Sequence, residues 1–382
     1  MSSSSGGQSV SAASFSPSTA LPEGPARLKA RIVEAVAAAG GWLPFERFMA
    51  LALYEPGLGY YARGTPVFGR MPQSGSDFVT APELSPLFGA TLARAVAQAL
   101  DAVGVHEVVE FGAGSGALAA QLLDALGSRV RRYRIVELSG SLQARQRERL
   151  ARFGDRVEWL AEWPEAMHAV VVGNEVLDAM PVTLLHWDGA QWFERGVALH
   201  EGAWAWADRP TALQPPHPGP FVPGTVTEIH PQAEAFVRGL ARRLHRGAAF
   251  FIDYGFPEHE YYHPQRSGGT LMCHRAHEAD SNPLADVGEK DITAHVNFSA
   301  MALAAQDAGL DVLGYTSQAR FLFNCGFAGL LDGADLATRS MAARLVNEHE
   351  MGELFKVLML GRGLGPALQA LGFGEGDRSH RL

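Results

Sequence analysis

The chain has 382 residues, 47% hydrophobic and 19% charged, a balance that excludes bulk disorder and suits one large domain with additions. Its 41 acidic and 32 basic side chains leave a formal charge of -9, so no overall positive field draws it to nucleic acid. Two cysteines, Cys273 and Cys325, are too few for a disulfide framework and suit a reducing compartment.

The opening residues, MSSSSGGQSVSAASFSPSTA, carry no charge. They lack the apolar middle of a secretory signal and the arginines of a mitochondrial presequence. A flexible tail over 1–24 is expected, on a soluble, cytoplasmic chain with no run apolar enough to span a membrane. Pro25 to Ala39 has helical composition and stops at Gly40-Gly41. The apolar run WLPFERFMALALY reads as a second helix, closed by Pro56, Gly57 and Gly59. Thr65 to Pro86 is rich in Gly, Pro and Ser, a long irregular loop of the kind that works as a lid. Pro86 to Leu100 is helical again, which makes 25–100 an N-terminal helical extension with a lid loop.

From residue 105 strands and helices alternate. VHEVVEF, YRIVELS, RVEWL and AVVVGN are short apolar strands, with GALAAQLLDAL and SLQARQRERLARFG as helices between the first three. A fifth strand, GAAFFIDYG, follows the helix QAEAFVRGLARRLHR, and LDVLGYTSQ and FKVLMLGR supply the last two. Such alternation predicts an α/β domain over 101–362, its parallel sheet covered on both faces. Residues 181 to about 226 break the pattern. Period-two stretches flank Asp188-Gly189, a hairpin signal, and a proline-rich segment follows, so an inserted β-hairpin region is expected there. Trp187, Trp192, Trp204 and Trp206 lack the interleaved basic residues of a base-stacking surface and suit a hydrophobic hairpin. Residues 363–382 read as a C-terminal tail.

The strongest local motif is Glu110-Phe-Gly112-Ala-Gly114-Ser-Gly116, between the first strand and its helix. Glycines there permit a tight turn and let backbone N–H groups approach a ligand. Glu137 ends the next strand, where a carboxylate can accept both hydroxyls of a ribose, as nicotinamide and S-adenosylmethionine sites both require. After the fourth strand comes Asn174-Glu175-Val-Leu-Asp178-Ala-Met-Pro181, beyond the carboxyl ends of the strands, where open α/β sheets bind ligands. Helix capping alone would also account for Asn174, Glu175 and Asp178. His259, His263, Cys273, His274 and His277 cluster in one segment, but their spacing matches no closed zinc pattern, and no metal is expected.

The form Glu-x-Gly-x-Gly-x-Gly resembles motif I of class I S-adenosylmethionine-dependent methyltransferases. Further segments make the resemblance specific to the MidA family. They are Tyr54-Glu-Pro56-Gly57-x-Gly59-Tyr60-Tyr61, Asp77-Phe78-Val-Thr80-Ala-Pro82-Glu83-x-Ser85, Val136-Glu137-x-Ser139 and Asn174 to Pro181. Later come Glu228-Ile-His230-Pro231, Asp253-Tyr254-Gly255, Asp291-Ile-Thr293-Ala-His295 and Phe355-Lys356-Val357. The family usually writes Gly-Asp-Phe where Ser76 precedes Asp77 in this chain. The resemblance implies a Rossmann-like class I methyltransferase sheet, S-adenosyl-L-methionine as cofactor, and an arginine-bearing protein substrate, as for the family's mitochondrial complex I assembly factor; a respiratory-complex subunit would fit.

It also implies a cofactor seat of Glu110, Gly112, Gly114, Gly116 and Glu137 with Asp77, Phe78, Thr80, Pro82 and Glu83 from a closing loop. A guanidinium acceptor arrives protonated, and paired carboxylates can orient its fork. Glu175 and Asp178, with Asn174, are the first candidates; Glu83, and Glu228 with His230, stand in reserve. Asp253, Tyr254 and His295 could line the same mouth. Methylation of a small molecule or RNA, and a non-catalytic assembly chaperone that keeps the fold, stay open at this point.

Overall fold

The computed structural model describes residues 24–63, 80–275, 278–364 and 368–382. The Ser/Gly-rich start, His277 and most of the expected lid, with Asp77 and Phe78, lie outside the described residues.

The seven predicted apolar strands form one sheet. In chain order they are β1 (Glu107–Phe111), β2 (Arg132–Val136), β3 (Val157–Leu160), β4 (Met167–Asn174), β5 (Leu244–Phe256), β6 (Asp311–Ser317) and β7 (Phe355–Arg362). Their spatial order is β6-β7-β5-β4-β1-β2-β3. All neighbours run parallel except around β7, which is antiparallel to both β5 and β6. A short strand, Val296–Asn297, adds to the end of β5.

Two helices, α1 (Gly24–Ala38) and α2 (Phe45–Tyr54), make up the start of the N-terminal extension. Alternation along each strand of the large sheet sends side chains to two separate cores, as the pleat requires. On one face Val108, Ile135, Val170, Val172 and Phe250 pack against α3 (Pro86–Val103) and α4 (Ala117–Leu126). Helix α5 (Gly140–Leu150) follows β2. On the other face, Val109, Val136, Ala169, Val171 and Phe251 meet α6 (Pro231–Arg243) and α7 (Phe298–Asp307). A sheet covered on both faces explains why its strands read as continuous apolar runs.

The region expected as an inserted hairpin is part of a five-stranded antiparallel sheet. Thr183–Trp187, Trp192–His200, Ala203–Pro210 and Val226–Ile229 form it, and Leu43–Pro44 of the N-terminal extension joins by pairing with Val197 and Gly196. Trp204 packs on Phe48 and the partly exposed Trp206 on Phe45, with ring centroids 5.9 and 5.4 Å apart. A third core unites α1, α2, this sheet and a small one built from Met272–Arg275, Glu278–Asp280 and Asp291–Thr293, with Cys273 buried inside it.

The expected C-terminal tail needs correction. Residues 368–382 lie against β6, where Phe373 is buried on Phe321 and Arg378 N donates to Tyr315 O at 2.6 Å. Asp377 also accepts from Tyr315 N at 3.1 Å. An exposed edge strand leaves unpaired backbone groups, and this segment satisfies some of them.

Candidate functional site

Register places the site. Phe111 lies opposite Val136 of β2 and Gly173 of β4, while Asn174 lies opposite Ile252 of β5. Carboxyl ends of β1, β2 and β4 are thus level, with β5 running on beside them, and the turns that follow the three strands stand side by side. Between them is a cavity of about 690 Å³.

The glycine turn forms one wall. Gly112, Gly114 and Gly116 all have positive φ (63°, 52° and 79°), and Gly116 caps α4. A Cβ on Gly112 would come within 2.9 Å of Val176 Cγ2, so the residue is needed for close approach as well as for its backbone angle. Gly112→Ala is expected to lower the melting temperature and weaken nucleoside binding together, both readable in one thermal-shift titration.

Glu110 is buried behind that turn and accepts from Tyr133 Oη at 2.7 Å. Burial pushes its carboxyl up to about 7 despite that bond. Glu137 accepts from Ser139 N at 2.9 Å and Gln146 Nε2 at 3.1 Å. Gln146 also donates to Gly114 O and accepts from Trp159 Nε1, each at 2.9 Å, which ties the second strand's acid to the glycine turn. A carboxylate offers about four lone-pair sites, so Glu137 keeps acceptors for a diol in the cavity it lines. Leu138, 81% exposed, with Leu142, Trp163 and Phe236, adds an apolar surface for a flat ring. These residues fit an adenosine-bearing cofactor.

The opposite wall is the turn after β4. Glu175 adopts φ 52°, a left-handed conformation that disfavours any side chain with a Cβ. Asp253, one residue past the Ile252 that faces Asn174 on β5, holds it there: one carboxylate oxygen accepts from Val176, Leu177 and Asp178 N at 3.1, 2.9 and 3.3 Å. Glu175 N donates to Ile252 O at 2.8 Å, and its carboxylate accepts from Asn174 Nδ2 at 2.9 Å. Burial, then the neighbouring Asp253, raises Glu175 to about 8, and the same causes in the same order raise Asp178. Asp291, from the small sheet, also lines the cavity and accepts from Tyr61 Oη at 2.8 Å.

Of the expected site residues, Glu110, Gly112, Gly114, Glu137, Asn174, Glu175, Asp178, Thr80 and Pro82 line the cavity, as does Tyr254. Gly116 shapes the turn from outside that lining. Glu83 sits behind it, its carboxylate bound by Ser115 Oγ and, at 2.7 Å, by Arg149 Nη1 of α5. Glu228 and His230 correct the reserve assignment. Glu228 is fully buried, its oxygens taken by Tyr261 Oη (2.8 Å), Thr270 N (2.8 Å), Thr270 Oγ1 (3.1 Å) and Leu271 N (3.2 Å). His230 contacts the same Tyr261 hydroxyl at 3.1 Å, and burial lowers its ring to about 4. Both lie in an interior network that anchors residues 269–271 rather than in the cavity lining. Asp253 holds a wall from behind, and His295 stacks on Phe256 with centroids 5.3 Å apart.

Tyr54, Tyr61, His274 and Asp291 reach the cavity from segments that local pattern did not mark as site residues, although all but His274 stand in segments that carry the family resemblance. The outcome is a cavity lined by acids whose ionisation a cation would favour. Glu110, Glu137, Glu175, Asp178 and Asp291 line the cavity, with no Lys or Arg among the described lining residues.

Comparison with known proteins gives a consistent picture. A family model described as "Putative S-adenosyl-L-methionine-dependent methyltransferase" matches residues 91–316. A crystal structure of a superfamily relative from Burkholderia thailandensis, bound to S-adenosyl-homocysteine, is 52% identical, with a TM-score of 0.89 over 94% of this chain and 97% of that one. The zebrafish (Danio rerio) mitochondrial protein arginine methyltransferase NDUFAF7 is 26% identical over 364 residues, 83% of each chain. Its Drosophila melanogaster homologue is 27% identical over 312 residues, 70% of this chain and 68% of that one.

Proposed function

Because the chain belongs to the S-adenosyl-L-methionine-dependent methyltransferase family, we propose that it transfers methyl groups to an arginine of a protein substrate. The bound cofactor supplies an electrophilic methyl on a cationic sulfur. Glu137 would hold its ribose, the glycine turn and Glu110 its backbone side, and Leu138 with Trp163 and Phe236 its base. The observation that carries the acceptor assignment is the five acidic side chains of the lining with no Lys or Arg among the described lining residues. A low-dielectric cavity of that charge favours cations and disfavours anionic or nucleic-acid acceptors.

Glu175 and Asp178 are the groups for the acceptor. As carboxylates they would take a guanidinium in bidentate fashion, fix one nitrogen toward the methyl and draw positive charge to the others. Alignment of this kind is worth roughly 7–11 kcal/mol of barrier. Raised proton affinity equips Glu175 to take the proton released when the new C–N bond forms. Names of relatives that are protein arginine methyltransferases support the same reading. The reading as a non-catalytic assembly chaperone is less favoured because three hydrogen bonds accepted by Asp253 hold a strained turn whose two acids, Glu175 and Asp178, line the cavity.

The test is to incubate the purified chain and isotope-labelled cofactor with lysate from cells lacking the protein. Mass spectrometry should find labelled methyl groups on arginine. Label confined to RNA, small molecules or other side chains would refute the acceptor assignment while leaving the cofactor in place. The protein substrate and a cytoplasmic site of action are parts of this same proposal.

A further inference from the structure

The N-terminal extension contributes a wall of its own. Tyr54 ends α2, and its hydroxyl donates to Ala179 O at 2.7 Å, next to Asp178. Its ring stacks on Tyr61 with centroids 5.7 Å apart and planes 20° from parallel. Tyr61 in turn donates to Asp291. One ring face is therefore covered by Tyr61, while Tyr54 keeps 43% of its surface exposed and is part of the cavity lining. Carboxylates surround the buried hydroxyl end: after burial itself, Asp291, Asp178 and Glu137 push this phenol well above its ordinary range. Tyr54 consequently shares one cavity wall with Tyr61, beside the segment that carries Asp178.

We propose that Tyr54 is the specificity-determining residue of the acceptor half of the cavity, its ring a platform for a planar guanidinium whose nitrogens reach the acceptor carboxylates Glu175 and Asp178. Guanidinium is flat, weakly hydrated and stacks on aromatic faces, whereas an ammonium is a compact and strongly hydrated charge. Carboxylates alone attract both cations; the ring distinguishes them. This inference rests on the arginine reading above and adds the element that would reject lysine.

The experiment uses the full chain saturated with S-adenosyl-homocysteine, titrated with n-propylguanidinium and n-butylammonium by calorimetry or ligand-observed NMR. The wild type should bind the guanidinium at least about tenfold more tightly, equivalent to about 1.4 kcal/mol. Tyr54→Leu, and Tyr54→Met as a second ring-free variant, should reduce the ratio below about threefold, each measured when saturated with S-adenosyl-homocysteine, while Tyr54→Phe retains it. Equal binding of the two cations by the wild type, binding of neither, or full discrimination in a ring-free variant would overturn the proposal. Saturable binding of S-adenosyl-homocysteine by either ring-free variant shows that it is folded, and a wild-type ratio near one overturns the proposal without them. Failure to bind S-adenosyl-homocysteine at all would instead defeat the methyltransferase reading.

Discussion

Glu175→Gln is expected to abolish methyl transfer and to raise the melting temperature at the same time. Glutamine keeps the shape and one acceptor for the Asn174 amide, but it can neither carry charge for a guanidinium nor take a proton. Loss of a group that both orients and accepts a proton should reduce turnover by about 10³-fold or more. Stability moves the other way. The folded chain holds Glu175 near 8, against 4.5 when freely solvated, so above 4.5 the unfolded chain ionises first. Stability from this group is complete below about 4.5 and declines as pH rises toward 8. Removing the titration should stabilise the variant by roughly 1–3 kcal/mol at pH 7.5, a gain of a few degrees. Melting curves of both proteins at pH 5 and pH 8 check the sign: the gap must be wider at pH 8. A variant less stable than the wild type at pH 8 would mean that Glu175 is ionised and paired in the folded state.

Glu137→Ala should act on the other half of the cavity. The substitution removes the carboxylate proposed to accept the ribose hydroxyls but leaves Gln146 bonded to Gly114 O and Trp159, so the glycine turn keeps its brace. Hydrogen bonds to a charged acceptor contribute about 1.5–3 kcal/mol each. Affinity for S-adenosyl-homocysteine should therefore fall by roughly 100-fold, against little change for Glu175→Gln. Calorimetric titration of the two variants separates the roles. A loss of under threefold in Glu137→Ala would remove the ribose assignment, and a large loss in Glu175→Gln would mean that both walls bind the nucleoside.

A shared pH dependence links both experiments. Glu110 near 7 and Glu175 near 8 in the free cavity must ionise when a cation enters. Affinity for the cationic cofactor should rise between pH 6 and pH 8. Affinity for S-adenosyl-homocysteine, which lacks the sulfonium charge, should rise less over the same interval.

The sequence by itself determined the sheet and the central acids, because each of those signals is local. An apolar run is a strand buried on both faces, and a run that stops at Glu110, Glu137 or Asn174 puts its next residues at the carboxyl edge of the sheet. Glycines at 112, 114 and 116 permitted a tight turn, and the structure gives all three a positive φ. Only the tertiary structure decided which distant acids join them. Glu228 and Asp291 carry the same chemistry and stand in equally specific segments, yet Glu228 is enclosed by Tyr261 and Thr270 while Asp291 lines the cavity. Tyr61 meets Asp291 across 230 positions of chain, and Leu43–Pro44 pairs with a strand more than 150 residues away. No periodicity carries such information. It arises when α1, α2 and two small sheets close one common core and thereby carry Tyr54, Tyr61 and Asp291 to the mouth of a pocket built by other segments.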